Sequence, residues 1–199
     1  TIQCFPAESW REEFARARTA GLACIEWIYE VPNRDRNPLE TDDGIESMRA
    51  LSRDTGVHVW SICADWFMAP AERLVQNGRV HPPATQRLSW LVDRAALLGA
   101  RYIVLPFVDA SSLRSATDED TLAALLRDAG PAAGSQGVEL HLETDLPPER
   151  FRDLLAAVDH PNVRANYDCG NSAALGFDPV RELSLIGRWL GSVHIKDRV

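Results

Sequence analysis

The 199-residue sequence predicts an α/β fold, a TIM (β/α)8-type barrel that is incomplete, with six of the barrel's strands present. Three observations carry this. Short β-type runs alternate with helical stretches along the chain, which implies β-α units and a parallel sheet. Three of the runs are polar on one parity and apolar on the other, whereas an open parallel sheet covered on both faces would be apolar on both. The polar parity suits a barrel lumen, and its last residues fall at the C-terminal strand ends, where barrel active sites are built.

The elements follow in order. The first helix, 6–21, begins at Pro6, places Trp10, Phe14 and Ala17 on one face and stops at Gly21. Strand 23–28 (ACIEWI) follows, with Glu26 on the parity of Cys24. Helix 44–56 ends at Gly56; strand 57–63 (VHVWSIC) carries Trp60 and leads to Trp66 and Phe67, aromatics that either pack or wall a pocket. Helix 84–99 ends at Gly99, ahead of strand 101–107 (RYIVLPF). The loosest stretch, 128–137 (DAGPAAGSQG), closes one helix rather than dividing two domains, so 1–199 reads as one partial domain. Strand 138–143 (VELHLE) alternates Leu140 and Leu142 with His141 and Glu143. Helix 147–159 starts at two prolines, and strand 163–168 (VRANYD) alternates Val163, Ala165 and Tyr167 with Arg164, Asn166 and Asp168. Helix 178–191 ends at Gly191. The last run, 192–197 (SVHIKD), puts Ser192, His194 and Lys196 on one parity and Val193 and Ile195 on the other.

Composition narrows the function classes. A net charge of −8 without a dense Lys/Arg stripe argues against nucleic acid as a partner. Four cysteines without C-x-x-C spacing suit a reducing cytoplasm better than a disulfide framework. No apolar run approaches the ~20 residues of a membrane span, and the first residues lack a signal-peptide pattern. A first residue of Thr1 rather than Met points to a trimmed chain.

Glu143, Asp168 and His194 stand at or near the C-terminal ends of three consecutive strands, on the inner parity. Two carboxylates and one imidazole make a mostly hard site for a divalent cation, Mn²⁺ or Mg²⁺ first, with Co²⁺ or Zn²⁺ as alternatives. A buried layer of salt bridges, with Arg164 and Lys196 neutralising Glu143 and Asp168, accounts for the same parity equally well. Glu26 faces the lumen either to touch substrate or to pair with a neighbouring cation.

The stretches HLETD (141–145), YDCGN (167–171) and VHIKD (193–197) resemble the sugar phosphate isomerase/epimerase family of xylose isomerase-like TIM barrels. The stretch EEFARARTAGLACIEW (12–27) resembles that family's first helix and second strand. The resemblance implies Glu143, Asp168 and His194 as metal ligands, with Glu143 also exchanging a proton with substrate. It implies a metal-dependent isomerase or epimerase acting on a ketose or related polyol ketone, phosphorylated or not, with an inosose-type dehydratase as the runner-up. Glu149, six residues past Glu143, matches a substrate-contacting glutamate of some members; it also suits the first turn of a helix, where an acid complements the dipole. Lys196 is a candidate to stabilise negative charge on substrate oxygens, or a plain partner of Asp168 or Asp197.

Two departures bear on these expectations. Asn171 stands where many members carry a histidine; it can hydrogen-bond a substrate hydroxyl but cannot act as an acid or base near neutral pH. The family's closing strand brings a fourth ligand, a glutamate, for which the chain has no counterpart up to Val199, and its first strand is likewise expected before Pro6. These departures keep a non-catalytic, sugar-binding barrel in play, and the expected partner is a small sugar, with a homo-oligomer compatible with it.

Overall fold

A computed structural model describes residues 4–197 of the chain. In order, the elements are α1 (Trp10–Thr19), β1 (Cys24–Ile28), α2 (Asp42–Thr55), β2 (His58–Cys63), the hairpin strands β3 (Val75–Gln76) and β4 (Arg79–Val80), and α3 (Pro82–Leu98). Then come β5 (Tyr102–Phe107), α4 (Ala116–Ser135), β6 (Glu139–Thr144), α5 (Pro148–Val158), β7 (Val163–Asp168), α6 (Cys169–Ala174), α7 (Pro179–Ile186) and β8 (Leu190–His194). Six strands form one parallel sheet in the order β1-β2-β5-β6-β7-β8. The sheet curls: Glu26 on its first strand and His194 on its last, at opposite edges of the ladder, meet at 2.9 Å. It is an incomplete barrel with helices outside.

The alternation read from the sequence is the alternation of the two surfaces. Outward side chains such as Trp27, Ile62, Ile103, Leu105, Leu140 and Leu142 are buried against the helices. Trp27 sits among Phe5, Trp10 and Phe14, with ring centroids 5.7–6.1 Å apart. Each such side chain contributes about 1.5–3 kcal/mol by leaving water. Trp66 and Phe67 are also buried, Trp66 stacked on Tyr29 at 5.3 Å, so both serve as packing. Inward side chains instead form a polar column. His141 joins Glu139 and Ser192, each at 2.8 Å, and Ser192 Oγ donates to Asn166 Oδ1 at 2.7 Å, below the mouth of the curl.

Four boundaries differ from the pattern of the sequence by more than a residue or two. The first helix begins at Trp10 rather than Pro6, because residues 7–9 form a turn ahead of it. The stretch 128–137 is helix as far as Ser135, because the apolar face of α4 (Leu122, Leu126, Ala133) continues across it and Pro131 forfeits only one helical hydrogen bond. Helix α7 stops at Ile186, and the chain is already strand at Leu190, because pairing with Ala165 of β7 claims it. β8 ends at His194 rather than 197, since β7 turns into α6 after Asp168 and the ladder runs out of partner. The β3–β4 hairpin was not expected, although Asn77-Gly78 between valine-containing runs is its sequence signal; both residues take the positive φ that its turn requires. No helix among the described residues is long and apolar enough to cross a membrane.

Candidate metal centre

The site grows out of three strand ends. Asp168 is the last residue of β7 and the N-cap of α6: its Oδ1 accepts the Asn171 backbone N–H at 2.9 Å, which leaves Oδ2 turned to the lumen. Glu143, near the end of β6, has its Oε1 held by the side-chain amide of Asn171 at 2.6 Å. Its Oε2 lies 3.3 Å from the Asn166 amide nitrogen and 3.4 Å from His194 Nδ1. His194 Nδ1 is 3.8 Å from Asp168 Oδ2 and 3.0 Å from Asn166 Nδ2.

One ligand atom each from Glu143, Asp168 and His194 thus lies within 4.8 Å of the others. Ligands at about 2.1 Å from one ion stand at most about 4.2 Å apart, so the set fits a small divalent cation after a slight contraction. Glu143 and Asp168 are buried, and His194 is half-buried.

The crowding of charge at this mouth sets the electrostatics. Burial opposes a charge on His194, but Asp168, Glu143 and Glu26 outweigh it and push the imidazolium up to about 12. Burial would raise Asp168, yet His194, Lys196 and the Asn171 N–H together hold it well below the usual carboxylate range. Lys196, two residues past the end of β8, brings Nζ to 2.6 Å from Asp168 Oδ2, an ion-pair contact without the alignment of a hydrogen bond. Its backbone lies against Gly170, where a Cβ would come within 2.7 Å of the Lys196 carbonyl oxygen. Three carboxylates therefore face one lysine and one histidine.

Of the residues singled out in the sequence, Glu143, Asp168, His194, Lys196, Asn171 and Glu26 come together at this mouth. Glu26 faces the imidazole rather than open space. Glu149 does not join them: it lies in the first turn of α5, with Arg181 Nε 2.9 Å from its carboxylate. Arg164 does not neutralise Glu143, since it turns to the opposite end of the lumen and donates to the Leu190 carbonyl, 3.9 Å from Glu139.

Two residues of the site had not been singled out. Asn166 donates to Glu143 and lies 3.0 Å from His194 Nδ1, and its signal was its place two residues before Asp168 on the same parity. Asp65 follows the end of β2 and accepts from the Cys63 thiol at 3.2 Å. Burial pushes its carboxyl up to about 6 against that hydrogen bond, and the charges of Glu143, Glu30 and Glu26 add to the rise.

Comparison with known proteins gives a consistent picture. The family model described as xylose isomerase-like TIM barrel matches residues 14–199. A 2-epi-5-epi-valiolone 7-phosphate 2-epimerase of Actinoplanes sp. is 30% identical over 154 residues, 75% of this chain and 54% of that protein. The chain thus spans about half the length of this curated relative. Among solved structures, a xylose isomerase-like TIM barrel protein from Mycobacterium smegmatis in complex with magnesium aligns with a TM-score of 0.74 at 21% identity, covering 96% of this chain and 67% of that one. The 3-keto-D-glucoside 4-epimerase of E. coli aligns with a TM-score of 0.72 at 19% identity, covering 97% and 75%.

Proposed function

Since the chain belongs to the xylose isomerase-like TIM barrel family, we propose that it acts as a divalent-metal-dependent isomerase or epimerase of a ketose or related polyol ketone. The observation that carries this is the convergence of Glu143, Asp168 and His194 within 4.8 Å at the C-terminal mouth of the sheet. The 30% identical relative, an epimerase by name, supports the reaction class. A cation held by the three, Mn²⁺ by preference for two carboxylates and an imidazole, supplies Lewis-acid polarisation of a carbonyl and so acidifies the neighbouring C–H.

The chain's own residues do the rest. Glu143 Oε2 faces His194, so Oε1 is the oxygen left to take the substrate proton. Asn171 Nδ2 now occupies Oε1 at 2.6 Å; a substrate hydroxyl that accepts this donor frees the base as it binds. Lys196 Nζ, beside Asp168, places a positive charge where substrate oxygens gain negative charge. Return of the proton to the other face, or to the neighbouring carbon, gives the epimer or the isomer.

The test uses two variants of the protein. Asp168→Ala should abolish Mn²⁺ uptake in calorimetry, and Glu143→Gln should bind a ketose that the wild type turns over while losing exchange of its α-proton with D₂O by NMR. Unchanged Mn²⁺ affinity in Asp168→Ala ends the metal reading. Exchange at the wild-type rate in Glu143→Gln removes Glu143 from the proton transfer.

A further inference from the structure

The two ring nitrogens of His194 meet different company. Nδ1 faces the site, with Glu143 Oε2 at 3.4 Å, Asp168 Oδ2 at 3.8 Å and the Asn166 amide nitrogen at 3.0 Å. Nε2 faces away from those carboxylates and toward Glu26 Oε1, 2.9 Å distant, on the strand at the far edge of the sheet. Among the described residues Glu26 is the one carboxylate within ion-pair reach of Nε2; the contact lacks the alignment of a hydrogen bond, and no other group satisfies that buried atom. The second oxygen of Glu26 is itself fixed, accepting from Ser61 Oγ at 2.7 Å on the neighbouring strand. Register explains the pair, since Glu26 and Ser61 sit side by side in the β1–β2 ladder.

We propose that Glu26, anchored by Ser61, is a positioning residue that accepts the Nε2–H of His194 and thereby presents Nδ1 to a divalent cation. An imidazole ligates only through a nitrogen that has given up its proton, so the proton must stay on the other nitrogen and needs an acceptor there. A carboxylate with one oxygen beside the imidazole and the other on a serine is held facing His194. Glu26 thus acts through His194 rather than on the sugar. The proposal rests on the metal reading above.

Calorimetry with Mn²⁺ alone, on the wild type, Glu26→Ala, Glu26→Gln and Ser61→Ala, tests it. Loss of an outer partner of a histidine ligand weakens metal binding about 10–100-fold. Glu26→Ala should show that loss. Glu26→Gln, which keeps an acceptor without the charge, should lose less, and Ser61→Ala less again. Long-range ¹H–¹⁵N NMR of the Mg²⁺-loaded proteins gives a readout that a merely structural role would not move: one Nε2–H tautomer of His194 in the wild type, and a mixture in Glu26→Ala. Wild-type Mn²⁺ affinity together with an unchanged tautomer in Glu26→Ala overturns this proposal and leaves the metal reading standing. Should Glu26→Ala fail to fold, Glu26→Gln with wild-type affinity and tautomer and Ser61→Ala with wild-type affinity overturn it equally. A wild type that takes up no Mn²⁺ overturns both.

Discussion

Asp65 shows what the site demands of a single residue. Its folded pKa of about 6 lies above the ~4 of an unfolded aspartate, so between those values the native state holds a proton that the unfolded chain has released. Stability is therefore undiminished below pH 4 and falls as pH rises through 6, by on the order of 2–3 kcal/mol. Asp65→Asn, which keeps an acceptor for the Cys63 thiol, should match the wild type in urea at pH 4 and exceed it by roughly that amount at pH 8, both in EDTA. A pH-independent difference would assign the effect to packing. Parity brought Glu143, Asp168, His194 and Glu26 out of the sequence because each is a charged or titratable side chain on the polar face of a strand. Asn166 lies on the same face but carries no charge, and Asp65 follows the strand end, where parity no longer says which way a side chain points.

At the scale of elements, α6 and the segment after β8 are held together by a missing side chain. A helical glycine costs about 1 kcal/mol relative to alanine, so Gly170→Ala would by itself stabilise α6. The added Cβ, however, would meet the Lys196 carbonyl oxygen and Cγ, each at 2.7 Å, and backbone cannot step aside as a side-chain tip can. Overpacking of this kind costs about 1–3 kcal/mol, which outweighs the gain. Gly170→Ala should therefore lower the urea midpoint; a raised midpoint would show that the Lys196 segment yields freely. Gly191 serves similarly at the irregular step between β7 and β8, where a Cβ would lie 2.5 Å from the His141 ring. Such close approaches join residues far apart in sequence, so the pattern marked Gly191 only as a helix stop. Most helix ends set by glycine or proline were legible, whereas the ends of α7 and of the strand β8, set by strand pairing, were not.

For the whole molecule, the order of strands and helices and the polar parity were enough to read a curled parallel sheet, because both follow from local periodicity. The contact between its two edges was not readable, since nothing local relates Glu26 to His194. That contact has a consequence in time. Neighbouring strands of the sheet follow one another in sequence, separated by a crossover helix and, between β2 and β5, the small hairpin as well, or, between β7 and β8, by the two short helices α6 and α7, so each pairing closes a modest loop. The imidazole reaches the first strand only after every intervening pair has formed, which makes it the most non-local event in the sheet and hence among the slowest. In stopped-flow refolding, burial of Trp27 and Trp66 in the helix layer should restore tryptophan fluorescence before the chain regains its capacity to capture Mn²⁺. Simultaneous recovery would mean that the two edges meet within the folding nucleus itself.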